Sequence, residues 1–233
     1  QFDDINVKTR PGEMPESAIK KDAPLPRLPL QRFRETFFVD LAPFVNRSFE
    51  DDGANNGIGG WSDQGPNCDM REVKTGQRKF GGVPFNILPA PKSLIVLKST
   101  WRNPGTLPEK VVIPVGRSAD TLFFLHSMAW GGGDDDFKYV IHYADSKDVT
   151  LPVNRKNGPG WANAPRADFP AEEGTVTVVA ETVPTPQFKE GRMYRMEWNS
   201  PADRRGIKID SIEFINSGSC VPILGGITGV MEW

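Results

Sequence analysis

No apolar run in this chain approaches the ~20 residues that a helix needs to cross a bilayer. The longest, such as residues 94–97 and 122–125, are only strand-length. Charge of one sign is equally lacking. With 28 Lys+Arg against 30 Asp+Glu the formal net charge is -2, so no global field draws the chain to nucleic acid or anionic lipid. No stretch sustains a helical periodicity and no internal repeat is visible. GxSxG, HExxH, P-loop and dinucleotide fingerprints are missing as well. Cysteine is reduced to Cys68 and Cys220. They either close a long-range disulfide, worth at most ~4–5 kcal/mol by loop entropy, or stay two buried thiols, and spacing does not choose between these. The chain opens on Gln1 and carries no signal peptide, so it is expected to be processed or cut from a longer protein.

What the chain does have is 23 Gly, 21 Pro and an unusual 6 Trp against 3 Tyr. Gly and Pro punctuate many short elements and disfavour long helices. Residues 1–35 mix charge with five prolines, ending in APLPRLPL, which favours an extended arm or linker. Leu25, Leu28 and Leu30 are apolar enough to pin that arm to a surface.

From residue 36 onward, strand-length apolar runs alternate with turn residues. They cover 36–40, 93–99, 110–115, 120–128, 137–144, 149–153, 175–182, 192–198, 206–216 and 226–232. Most are rich in Val, Ile, Phe and Tyr between Gly, Pro, Asn or Asp clusters. In FKYVIHYA, Phe137, Tyr139, Ile141 and Tyr143 share one face, opposite Lys138, Val140 and His142. LFFLHSM is apolar on both faces, as a strand covered on each side would be. In GIKIDSIEFI the apolar phase slips by one residue, which predicts a bulge near Asp210–Ser211. These features predict an all-β antiparallel sandwich over residues 36–233 with Leu122, Phe124, Ile141, Ile212 and Phe214 in its core.

Two kinds of loop carry candidate chemistry. Residues 50–71 alternate acids and amides with glycines and have almost no aliphatic content. Calcium takes six to eight oxygens, and glycines let backbone carbonyls turn inward, so Asp51, Asp52, Asn55, Asn56, Asp63 and Asp69 form a candidate cage. The spacing is not that of an EF-hand, and a solvated loop held by Asx turns is the plainer alternative. The second kind holds tryptophan. Trp61, Trp101, Trp130 and Trp161 fall in predicted loops beside Asp63, Arg102, Asn103, Asp134, Asp135, Asn163 and Arg166. Sugar C–H faces stack on indoles while their hydroxyls bond to such polar groups. Capping the sandwich core is the commoner fate of any single Trp. Trp198 and Trp233 read as core residues.

The triple aspartate 134–136 after three glycines reads as an acidic tip, a second metal site or a hairpin loop. His126 lies among apolar residues and reads as a hydrogen-bonded core histidine. His142 faces either solvent or a concave sheet. A lyase would need Tyr139, Tyr143, His142, Arg192 and Arg195 on one face, and no motif places them there.

Several stretches together, FVDLAPFVNRSFEDD, GIGGWSDQGPNCDMR, GGVPFNIL, LFFLHSMAW, VIHYADS and IDSIEFINSGSCVPILGGIT, resemble a family of bacterial accessory domains. These have the galactose-binding-like jelly-roll fold and are appended to secreted glycoside hydrolases and polysaccharide lyases. The resemblance implies an eight-to-ten-stranded jelly roll and a sugar site in loops at one end. It also implies a structural calcium held by Asp51, Asp52, Asn55 and a late-strand residue, here Glu213.

The leading expectation is a non-catalytic carbohydrate-binding module, secreted or periplasmic, that recruits a bacterial enzyme or cell surface to polysaccharide. It binds through Trp61, Trp101, Trp130 and Trp161 with Arg102, Asp134 and Asp135. A structural accessory domain packed on a catalytic domain is the second reading, which the proline-rich arm suits. A jelly-roll lyase or hydrolase is the third.

Overall fold

The computed structural model of the chain describes residues 33–101, 106–131, 136–154, 160–162, 169–172 and 174–232. The arm up to residue 32 therefore lies outside the described residues, as do Arg102, Asp134, Asp135 and Trp233. No helix occurs among the described residues. The strands are β1 (Phe33–Phe38), β2 (Gly76–Phe80), β3 (Val83–Ile87), β4 (Ile95–Val96), β5 (Lys110–Arg117), β6 (Thr121–Ala129) and β7 (Phe137–Tyr143). They continue as β8 (Val149–Val153), β9 (Phe169–Glu172), β10 (Thr175–Thr185), β11 (Lys189–Asn199), β12 (Ile209–Ile215) and β13 (Val221–Glu232).

Two antiparallel sheets face each other. The larger has seven strands in the order β1-β13-β6-β11-β10-β9, with β4 also pairing β13. The smaller runs β5-β12-β7-β8, and β2-β3 form a separate hairpin. Alternation along β7 and β12 sends Phe137, Tyr139, Ile141, Ile212 and Phe214 into the space between the sheets, where they meet Leu122, Phe124, Met196 and Trp198. The rings of Phe124, Tyr139 and Phe214 stack in series there. All five expected core residues are fully buried.

A second core lies on the opposite face of the seven-stranded sheet. Phe123 and Leu125 of β6 pack there under Phe80, Val83 and Phe85 of the hairpin and under Phe49, Trp61, Met70 and Val73 of the long loop. All nine residues of β6 are consequently buried. The central strand covered on each side is thus the middle of three layers. Among the described residues, the opposite, outward face of the four-stranded sheet is exposed at Lys110, Val112 and Lys138 and partly exposed at Val140, His142 and Glu213.

The slip in phase along β12 is a bulge: register shifts between Ile209 and Ser211 against both β5 and β7. It keeps Ile209, Ile212 and Phe214 all inside. The β2-β3 hairpin was not expected. GQRKF is polar because four of its five residues are exposed, so it lacks the apolar signal of a strand. The legible cue was Gly81-Gly82, both at positive φ, the conformation that a two-residue hairpin turn requires. Cys68 and Cys220 are free, each buried in a different core, with the seven-stranded sheet between them. Burial pushes both thiols above their ordinary value.

Candidate functional site

Loop 50–71 begins with an acid that is not available to a ligand. Asp51 is 1% exposed; its Oδ2 accepts from Gly65 N at 2.8 Å and its Oδ1 from Gly53 N at 3.3 Å. Gly60 lies so close that a Cβ there would sit 2.1 Å from Asp51 Cβ, which is why glycine is needed. Asp69, 2% exposed, accepts Asp51 N at 2.9 Å and the Arg71 guanidinium at 2.6 and 2.8 Å. Arg71 Nη2 also reaches Asp52 Oδ1 and the Asp51 carbonyl, both at 3.3 Å. Hydrogen bonding to Asp69 raises Arg71 further above its ordinary value, so its charge is permanent. Asp63, at φ 51°, accepts from Asn56 N and Gly57 N, while Asn56 Oδ1 accepts from Ile58 N.

These residues do not fit a calcium cage. The buried carboxylates are already filled by backbone N–H groups, and a guanidinium stands among Asp52, Asp69 and the Asp51 carbonyl, where a cation would be wanted. Among the described residues no three His, Cys, Asp or Glu side chains converge to hold a metal. Glu213 is a correction of place. It projects from β12 on the outward face of the four-stranded sheet, with both sheets between it and the loop. There it pairs with Lys110 Nζ at 2.7 Å, and that hydrogen bond holds Glu213 below the usual carboxylate range.

Two of the four loop tryptophans are core residues, contrary to expectation. Trp61 is 0% and Trp161 5% exposed, and they meet edge to face at 5.1 Å, with Phe188 against Trp161 at 5.3 Å. A buried indole offers no face to a sugar. Their chain neighbours are loop-like, but a long loop over a sheet needs its own apolar anchors, and these two supply them.

Trp101 and Trp130 behave differently. The structure brings them together edge to face, centroids 6.3 Å apart at 87°. Trp101 is 63% exposed, whereas Trp130 is half-buried and packs on the second core. Trp130 directly follows β6 and holds φ 55°, a left-handed conformation that carries roughly 1 kcal/mol or more of strain in a bulky residue. The turn that presents Trp101 is anchored by Ser99, whose Oγ accepts Trp101 N at 3.1 Å and donates to Ser219 O at 2.6 Å. Asn216 ties the same corner by donating to Lys98 O and Cys220 O. The sequence reasoning missed Ser99 and Asn216, because a serine before TWRNPG carries no signal until its partners are known.

The two indoles thus form one fixed aromatic step at the end of the sandwich where β6 stops and β13 begins. Arg102 adjoins it in the chain at Trp101, and Asp134 and Asp135 follow Trp130 within a few residues, all three outside the described residues. The lyase set is not assembled. Tyr139 and Tyr143 point between the sheets, while His142, on the same strand, points the other way.

The chain matches no protein-family model and no curated protein. The chemistry of the site alone carries the functional reading.

Proposed function

We propose that this chain is a non-catalytic carbohydrate-binding domain, and that Trp101 braced by Trp130 is its stacking surface. The observation that carries this reading is the exposure of Trp101, at 63%, next to a backbone that Ser99 anchors by hydrogen bonds. A large exposed aromatic on an anchored backbone loses little conformational entropy on binding and presents its full face to a flat apolar partner. The C–H face of a pyranose ring is such a partner. The adjoining polar residues Arg102, Asp134 and Asp135 have the donors and acceptors that sugar hydroxyls want. A jelly-roll accessory module of a secreted polysaccharide-degrading system is the setting that this reading and the sequence resemblance share. One shallow step binds weakly, so avidity from neighbouring modules supplies the useful affinity.

Affinity electrophoresis against a panel of soluble polysaccharides tests the proposal. At least one polymer is expected to retard the chain, and Trp101→Ala to weaken that retardation tenfold or more, about 1.4 kcal/mol. The variant should melt with the parent, because the lost ring is mainly solvent-facing. Retardation unchanged by Trp101→Ala, or none with any polymer, would leave the structural accessory domain as the better account.

A further inference from the structure

The tip of the acidic loop holds a chemistry that the tryptophan step does not use. Asn56 is exposed there and is followed by Gly57, at φ 71°. Asn56 Oδ1 accepts from Ile58 N at 2.9 Å, an Asx turn that folds the carboxamide back toward its own peptide link to Gly57. The nitrogen end of that carboxamide lies against Gly53, where an added Cβ would sit 2.6 Å from Asn56 Nδ2. The Gly57 N–H points at a carboxylate. It donates to Asp63 Oδ1 at 3.3 Å and Oδ2 at 3.2 Å, and Asn56 N donates to the same Oδ1 at 3.0 Å. A nucleophile (Gly57 N), an electrophile (Asn56 Cγ) and a base (Asp63) thus meet in one turn, and glycine puts no side chain in the way of attack. The chain's other Asn-Gly pair, Asn157-Gly158, lies outside the described residues.

We propose that Asn56 is a self-modification site, where the loop converts its own asparagine to aspartate and isoaspartate with Asp63 as the base. The Gly57 nitrogen gives its proton to Asp63 and bonds to Asn56 Cγ. The Cγ–Nδ2 bond then breaks, and Nδ2 leaves as ammonia with that proton, closing a cyclic succinimide. Water opens the ring at Cγ to give aspartate, or at the main-chain carbonyl to give isoaspartate. Water is the one co-reactant, and nothing is oxidised or reduced. A carboxylate within hydrogen-bond reach eases loss of the amide proton, and the turn supplies the approach. Aspartate keeps the acceptor for Ile58 N but adds a negative charge beside Asp63. Isoaspartate adds a methylene to the main chain beside two contacts of the loop. Gly57 O accepts Arg47 Nη2 at 2.7 Å, and Gly59 O accepts Ser48 N at 3.1 Å. The modification therefore loosens the hold of the loop tip on residues 47–48.

The test ages the full chain at neutral pH in water enriched in heavy oxygen, beside the same chain unfolded in guanidinium chloride. Peptide mapping by mass spectrometry then reads the label at Asn56. The label is expected to enter the native chain about tenfold faster than the unfolded one, which has the same Asn-Gly pair without Asp63 in place. Asp63→Asn keeps an oxygen that accepts from both backbone N–H groups and tolerates φ 51°, but it is no base. It should bring the native rate down to the unfolded rate or below. Melting the variant beside the parent shows that it keeps the fold, and the native-to-unfolded ratio of the unaltered chain decides the matter without any variant. The proposal is overturned if native Asn56 reacts no faster than unfolded Asn56, or if folded Asp63→Asn reacts as fast as the parent.

Discussion

At the scale of single residues, His126 shows how burial converts an ionisable group into a stability device. It sits on β6 in the core between the sheets, 3.0 Å from the Tyr139 hydroxyl and stacked on that ring. Burial lowers its pKa from 6.5 to about 3. The unfolded chain takes up a proton at this residue below pH 6.5, while the native chain does not until near pH 3. The contribution is therefore fully present above pH 6.5 and is lost as pH falls. Between pH 6.5 and 5, before carboxylates begin to protonate, the loss should be about 2 kcal/mol. Denaturant unfolding at pH 7 and pH 5 measures it. His126→Gln, which keeps a partner for Tyr139, should flatten this difference, and a parent chain equally stable at both pH values contradicts the account.

At the scale of elements, the acidic loop is the instructive case. Its composition suits calcium, but the composition of Asx turns is the same, since both use Asp, Asn and Gly to aim oxygens inward. What separates the two is Arg71. Truncating it leaves the buried Asp69 carboxylate short of its main partner, at a cost of about 1–3 kcal/mol. Arg71→Ala should thus lower the melting temperature, while calcium and chelator should leave the parent loop unaffected. A parent chain whose melting temperature drops with chelator and is restored by calcium contradicts this. The bulge in β12 lies at the legible extreme, because the phase slip in IKIDSIEFI admits one geometry if all its apolar residues are to be buried. The β2-β3 hairpin is less so, since its polar strand is stabilised by what it covers rather than by its own pattern.

At the scale of the whole molecule, three layers share one central strand, and the stacked rings of Phe124, Tyr139 and Phe214 join the two sheets. Phe124→Ala or Phe214→Ala should each cost about 3–5 kcal/mol, read as a shift in denaturant midpoint with an unchanged slope. A cost below about 1 kcal/mol would mean that the sheets do not meet through these rings.

Much of this architecture was determined by the sequence alone. Period-two alternation in β7, the doubly apolar β6 and the slipped phase of β12 each state which face is buried, because a strand has only two faces. The core role of His126 and Trp198 was legible for the same reason. Side chains on loops carry no such periodicity, so their fates were decided by tertiary packing. Trp61 and Trp161 turned inward to complete the cover of the second core beside the β2-β3 hairpin, whereas Trp101, in loop text that looks the same, was left outside on a turn that Ser99 ties to Ser219. Glu213 and His142 are likewise assigned to the outward face by local alternation. That they meet each other, rather than the acidic loop, follows from the pairing of β7 with β12, a long-range contact that no local pattern encodes.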